Sequence, residues 1–201
     1  MEKDLTRGAL LRDGTRQDED SSVTRVSMAL IALAAATLAA PAAWAQSSGK
    51  TGQYDAWGTY VYSSGGKKTC YVLAAPVPNS AKPAGLDHGD NYFLVSSKPG
   101  ANIAYEPQFI SGYTMQQGSK VVVTIGDRKF VLFAAAGENR DPTDIKSAWL
   151  ENAAEEPAFV AAMKGGSSMS VQAKSRRGND TSYEFSLKGV TKALGEIQNC
   201  K

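Results

Sequence analysis

The sequence predicts a mainly β domain, an antiparallel β-sandwich or partly open barrel with two or three short helices, one of them C-terminal. Two observations carry this. Short runs of β-branched and aromatic residues are separated by Gly, Pro and charged joints of hairpin length, as in Lys120–Ile125, Gly126-Asp127-Arg128 and Lys129–Ala134. No regular strand–helix alternation, which a parallel sheet would need, runs through the chain.

The first 45 residues stand apart from this pattern. Met1–Ser22 is polar, mixed in charge and without apolar period, so residues 1–24 read as a disordered extension or a stretch upstream of the true start. Residues 25–45 read as a signal peptide: Arg25 supplies the positive charge, Met28–Ala40 the apolar run, and Ala43-Trp44-Ala45 the small-residue exit site. A helix over that run spans about 20 Å, short of the roughly 30 Å of a bilayer core, and the expectation is no transmembrane span in the mature chain. Residues 46–53 read as a polar linker, and 54–201 as one domain.

Within that domain the elements follow from local pattern. Tyr54–Tyr62 is aromatic and β-branched, Ser63–Lys67 holds a Gly pair for a tight turn, and Lys68–Ala74 is the return strand. Pro76–Asp90 reads as a loop. Tyr92–Ser96 and Gln108–Tyr113 are the next strands, followed by the 120–134 hairpin. Asp141-Pro142 opens a helix or, alternatively, leads to a short strand at Trp149. Glu155-Glu156-Pro157 starts a helix with Phe159, Val160 and Met163 on its apolar face, stopped by Gly165-Gly166. Met169–Lys174 and Ser182–Leu187 alternate as half-buried strands, and a last helix carries Val190, Leu194 and Ile197.

The chemistry is sparse. Lys plus Arg is 22 and Asp plus Glu is 20, so no concentrated basic field marks a nucleic-acid binder. The single histidine, His88, lies in Leu86-Asp87-His88-Gly89-Asp90, and no serine sits in a G-x-S-x-G setting. Asp87, His88 and Asp90 match neither a zinc site nor a calcium loop. Glu155 and Glu156 are adjacent at a helix start and read as capping residues. Gly165-Gly166 follows a helix, the wrong order for a phosphate cradle. The sequence therefore names no catalytic residue, no cofactor and no metal ligand. Two features remain as an interaction surface. Lys174, Arg176 and Arg177 form a basic turn for an anionic lipid, a polysaccharide or an acidic partner, and Trp57 and Tyr60 belong to an aromatic cluster. In one strand Tyr54, Tyr60 and Tyr62 would share a face and Trp57 would take the other. Export makes Cys70 and Cys200, the two cysteines, a disulfide by default, tying the second strand of the domain to the C-terminal segment.

The run Ser186-Leu187-Lys188-Gly189, with Ala193-Leu194 after it, joins Ala162-Met163-Lys164 and Gly166 upstream and Trp57 with Gly66-Lys67-Lys68 before Cys70. Together these resemble the invasion-associated locus B family of exported proteobacterial proteins, over Tyr54–Cys200. The resemblance implies the periplasm, with outer-membrane association or secretion left open, no known enzymatic activity, and at most the outer Cys70–Cys200 bridge. Host invasion, known for the founding members, is not carried over. Gly189 is expected to let the strand turn into the last helix, Ala193 to give close approach, and Leu194 to be buried. The functional expectation is a non-catalytic envelope protein binding a protein or cell-surface partner, in host interaction or envelope stress. The alternatives are a periplasmic inhibitor or chaperone-like protein, and a cell-envelope hydrolase.

Overall fold

The computed structural model describes residues 47–98, 103–136 and 141–198. The extension, the signal peptide and Cys200 lie outside the described residues. The architecture is mainly antiparallel β with two short helices. Ten strands are joined in one open sheet: β1 Ser47–Tyr54, β2 Trp57–Ser64, β3 Lys67–Ala74, β4 Tyr92–Lys98, β5 Ile103–Ile110, β6 Lys120–Ile125, β7 Arg128–Ala135, β8 Ser147–Leu150, β9 Ser168–Lys174 and β10 Asp180–Ser186. Their order is β1-β2-β3-β4-β5-β8-β7-β6-β9-β10. Helix α1 spans Glu156–Gly165 and α2 spans Val190–Gln198.

The hairpins form where alternation and turn residues agree. β6 and β7 pair from Lys120↔Phe133 to Ile125↔Arg128, closed by Gly126 at φ 56°. β9 and β10 pair from Ser168↔Ser186 to Lys174↔Asp180. Both bury alternate residues, among them Val121, Val123, Phe130, Leu132, Val171, Tyr183 and Phe185.

The sheet curls so that its two halves face each other. Phe93 on β4 meets Phe185 on β10 at 6.0 Å between ring centroids, and Phe109 on β5 meets Tyr183 at 5.8 Å. Phe159 of α1 closes this core, 4.8 Å from Phe130 and 5.8 Å from Phe93. Such aromatic pairs add about 0.5–1.5 kcal/mol each beyond the area they bury. The β10 edge is not left open. Lys82 and Ser182 exchange backbone hydrogen bonds of 2.9 and 3.0 Å, and Val77 N donates to Glu184 O at 2.7 Å. The loop after β3 thus covers an edge that would otherwise pair with another chain.

Three expectations are corrected or narrowed. Residues 47–53, read as linker, belong to strand β1, because their backbone pairs with β2 although their side chains are polar. The strand expected over Tyr54–Tyr62 is cut by a two-residue turn, with Asp55 at φ 48° and Tyr54 paired across it to Trp57. Tyr54 is therefore not on the strand of Tyr60 and Tyr62. Of the two readings after Asp141-Pro142, the helix is absent and the short strand at Trp149 is the one that forms. Asp141 Oδ1 accepts from Thr143 N at 2.8 Å and from Thr143 Oγ1 at 2.7 Å, a local turn that competes with a helix, and Ser147–Leu150 inserts between β5 and β7. Strand β5 also starts before Pro107 rather than after it. Pro107 is accommodated because β8 pairs only with Gln108–Ile110, which leaves the earlier part of β5 as an edge.

Candidate interaction surfaces

The basic turn is held in place from below. Met115 bridges Ser175, Arg176 N donates to Thr114 O at 2.9 Å, and Gln116 N donates to Lys174 O at 2.9 Å. Gly178 at φ 86° closes the turn onto Ser175. The three basic residues are divided between two adjoining cavities. Lys174 points into a cavity of about 650 Å³ and pairs with Asp180 at 3.1 Å. Arg176 and Arg177 line a neighbouring cleft of about 390 Å³ together with His88, Asp87, Tyr113 and Asn179. The structure thus joins two features that the sequence leaves separate, the basic turn and the only histidine.

His88 is fully engaged. Its Nε2 donates to Pro83 O at 2.9 Å, since a carbonyl can only accept. Its Nδ1 lies 2.8 Å from Tyr183 Oη and accepts from that hydroxyl in the neutral ring. Burial, first, and then the neighbouring Tyr113 hydroxyl push the Tyr183 phenol far above its usual range, so it stays a donor. Tyr113 and Thr181 are linked at 2.6 Å, and Thr181 Oγ1 donates on to Ala173 O at 3.1 Å. With both ring nitrogens hydrogen-bonded, His88 ties the 86–91 loop to Tyr183 and Pro83. Asp87 is exposed and locally engaged, its Oδ1 accepting from Gly89 N at 2.9 Å. Among the described residues no three His, Cys, Asp or Glu side chains are grouped to hold a metal.

The aromatic expectation is split. Trp57 is fully buried, with Nε1 donating to Ser186 O at 2.9 Å, so it is core and no part of a surface. Its position opening β2 places it inward with Thr59. Tyr60 is half-buried and stacks on Tyr71 at 5.1 Å and 9° between planes. Glu155 makes no side-chain capping bond. Asn152 Oδ1 does that work, accepting from Ala154 N at 3.1 Å.

A second surface is absent from the sequence reading. Tyr105, Pro107, Phe133, Trp149, Ala153 and Glu156 line an apolar groove of about 530 Å³ where β5, β8 and β7 meet the start of α1. Phe133 and Trp149 are cross-strand partners with centroids 6.1 Å apart, and Phe133 is 41% exposed. Burial lifts the Glu156 carboxyl above its ordinary range, with Lys164 opposing the shift, and Lys164 also sits 5.6 Å over the Tyr105 ring. The signal was the phase of β7: Phe130 and Leu132 alternate inward, so Phe133 falls on the outward phase, where a polar residue is usual.

At the C-terminal end, Gly189 has φ 87°, and a Cβ there would stand 2.1 Å from Tyr54 O. Ala193 and Leu194 are fully buried, and Ile197 nearly so. Among the described residues no helix is long and apolar enough to cross a membrane.

No family model matches the chain, and no curated protein sequence matches it. Among solved structures, the crystal structure of invasion associated protein B from Bartonella henselae matches at a TM-score of 0.50 and 13% identity, covering 73% of this chain and 94% of that one. The two share a fold.

Proposed function

We propose that the chain is an exported, non-catalytic envelope protein of the invasion-associated locus B type that binds a protein partner through the aromatic groove. The observation that carries this reading is the groove itself. Phe133 and Trp149 expose a contiguous apolar face on rigid strands, and aromatic side chains on such a face are the usual anchors of protein contacts. The fold shared with invasion associated protein B supports the assignment to that family and, with the Arg25–Ala45 leader pattern, a periplasmic location. A Cys70–Cys200 disulfide belongs to the same reading. It is supported by the packing of α2, which ends two residues before Cys200, against the β3 strand that carries Cys70.

The test is a photo-reactive amino acid placed at position 133, and separately at the exposed Tyr62 across the sheet, in cells producing the full chain. A discrete adduct at 133, missing at 62 and lost on Trp149→Ala, is the expected result. Equal labelling at both positions, or none at 133, overturns the groove as the binding face.

A further inference from the structure

We infer that the trough beside the β9–β10 turn, distinct from the aromatic groove, is a binding site for an acidic polysaccharide. The two cavities there, about 650 and 390 Å³, share Thr181 as a common wall and so adjoin. Two adjoining open clefts, rather than one enclosed pocket, suit an extended chain. Five cationic side chains, Lys82, Lys120, Lys174, Arg176 and Arg177, line them against the carboxylates of Asp87 and Asp180. This concentrates positive charge in a chain whose net charge is only +2.

Acidic neighbours hold some of these cations. Lys120 pairs with Glu151, Lys174 with Asp180, and Arg176 feels Asp141. The Lys120 and Lys174 pairs are exposed, weak enough for a ligand carboxylate to displace, and Arg176 has only a distant coulombic influence on Asp141. Lys82 and Arg177 are exposed and stand in no ion pair among the described residues.

The rest of the lining decides between kinds of polyanion. Gln116, Gln172, Asn179 and Ser182 present amides and hydroxyls, and the Ser119 hydroxyl on the same wall is buried without a hydrogen-bond partner among the described residues. Such groups match the hydroxyls of a sugar chain. A protein interface would instead centre on aromatic or Met anchors, and a membrane surface would meet a convex, apolar-tipped face rather than a trough.

The experiment measures binding of the full chain at low ionic strength to polygalacturonate, neutral dextran, poly-L-glutamate, and phosphatidylcholine vesicles containing phosphatidylglycerol. Polygalacturonate should bind, dextran should not, and poly-L-glutamate and the vesicles should bind about tenfold more weakly, a difference of roughly 1.4 kcal/mol. The double variant Lys82→Glu, Arg177→Glu should weaken polygalacturonate by about tenfold or more. The double variant Lys67→Glu, Lys129→Glu carries the same charge change elsewhere and should cost only about twofold, through the screened field. Matching thermal melts confirm that both variants fold, and Lys82→Gln with Arg177→Gln replaces the first if it does not. Equal losses in the two doubles, or poly-L-glutamate or vesicles binding as tightly as polygalacturonate, would overturn the site. None of these outcomes bears on adducts at position 133.

Discussion

Trp57 Nε1 donates to Ser186 O across 2.9 Å, joining residues that lie 129 apart in sequence. Around this bond Ala56 N reaches Lys188 O at 3.3 Å, and Gly189 abuts Tyr54 O. The two stretches that carry the sequence resemblance, the early Trp and the Ser-Leu-Lys-Gly run, are therefore one structural joint. It closes the curled sheet at the start of α2. Trp57→Phe keeps most of the ring buried but strips the part-buried Ser186 carbonyl of this donor, at a cost of about 1 kcal/mol. Trp57→Ala adds a cavity, for about 3–5 kcal/mol in all. Urea unfolding of the two variants should rank them in that order. A Trp57→Phe variant as stable as the parent would show that the bond contributes nothing.

Gly189 and Gly195, six residues apart at the start and in the middle of the last helical segment, make a matched pair. Gly189 combines a left-handed φ with a backbone oxygen 2.1 Å from where a Cβ would stand, whereas Gly195 sits in α2 with open space around it. Gly189→Ala should destabilise by more than about 1 kcal/mol, since strain and clash add. Gly195→Ala should stabilise by about 0.5–1 kcal/mol through helix propensity. Thermal melts moving in opposite directions check the joint against a general tolerance of the helix.

The elements with strong alternation and matching turns were legible from sequence: the β6–β7 hairpin, the β9–β10 hairpin, and both helices with their buried faces. Those held by backbone alone were not. Strand β1 is Ser, Gly, Lys and Thr, and only its ladder to β2 makes it a strand. Strand β8 was legible only as an alternative to a helix, because its four residues take their character from neighbours on both sides. The same limit governs the sites. Sequence singles out Arg176 and Arg177, but only the 175–115 bridge places them beside His88. Trp57 and Phe133 look alike as apolar residues in strands, and it is register that buries the first and exposes the second.

Leu194 tests the packing of α2. It is fully buried, with Ala193 beside it and Ile197 one turn on. Leu194→Ala should cost about 2–5 kcal/mol, the range for truncating a core leucine. The Tyr105 hydroxyl donates to Leu194 O at 3.3 Å, so Tyr105→Phe isolates the backbone contact, worth about 1 kcal/mol. A loss for Leu194→Ala below that of Tyr105→Phe would mean the side chain is not core.

The carboxyl of Glu156 gives the groove a pH signature. Burial at the groove wall raises its folded-state pKa above the unfolded value. Between those two values the native state holds more protons than the unfolded chain, so stability falls as pH rises through this window. The contribution is fully present below the unfolded-state pKa, about 4.3, and is lost above the folded one. Glu156→Gln removes the titration. Unfolding measured from about pH 4 to pH 7 should therefore fall less steeply in the variant than in the parent. Because the side chain is partly solvated the difference is small, and a residue-specific NMR titration is the sharper readout. An inflection for Glu156 at or below that of an ordinary exposed glutamate would contradict the burial of this wall of the groove.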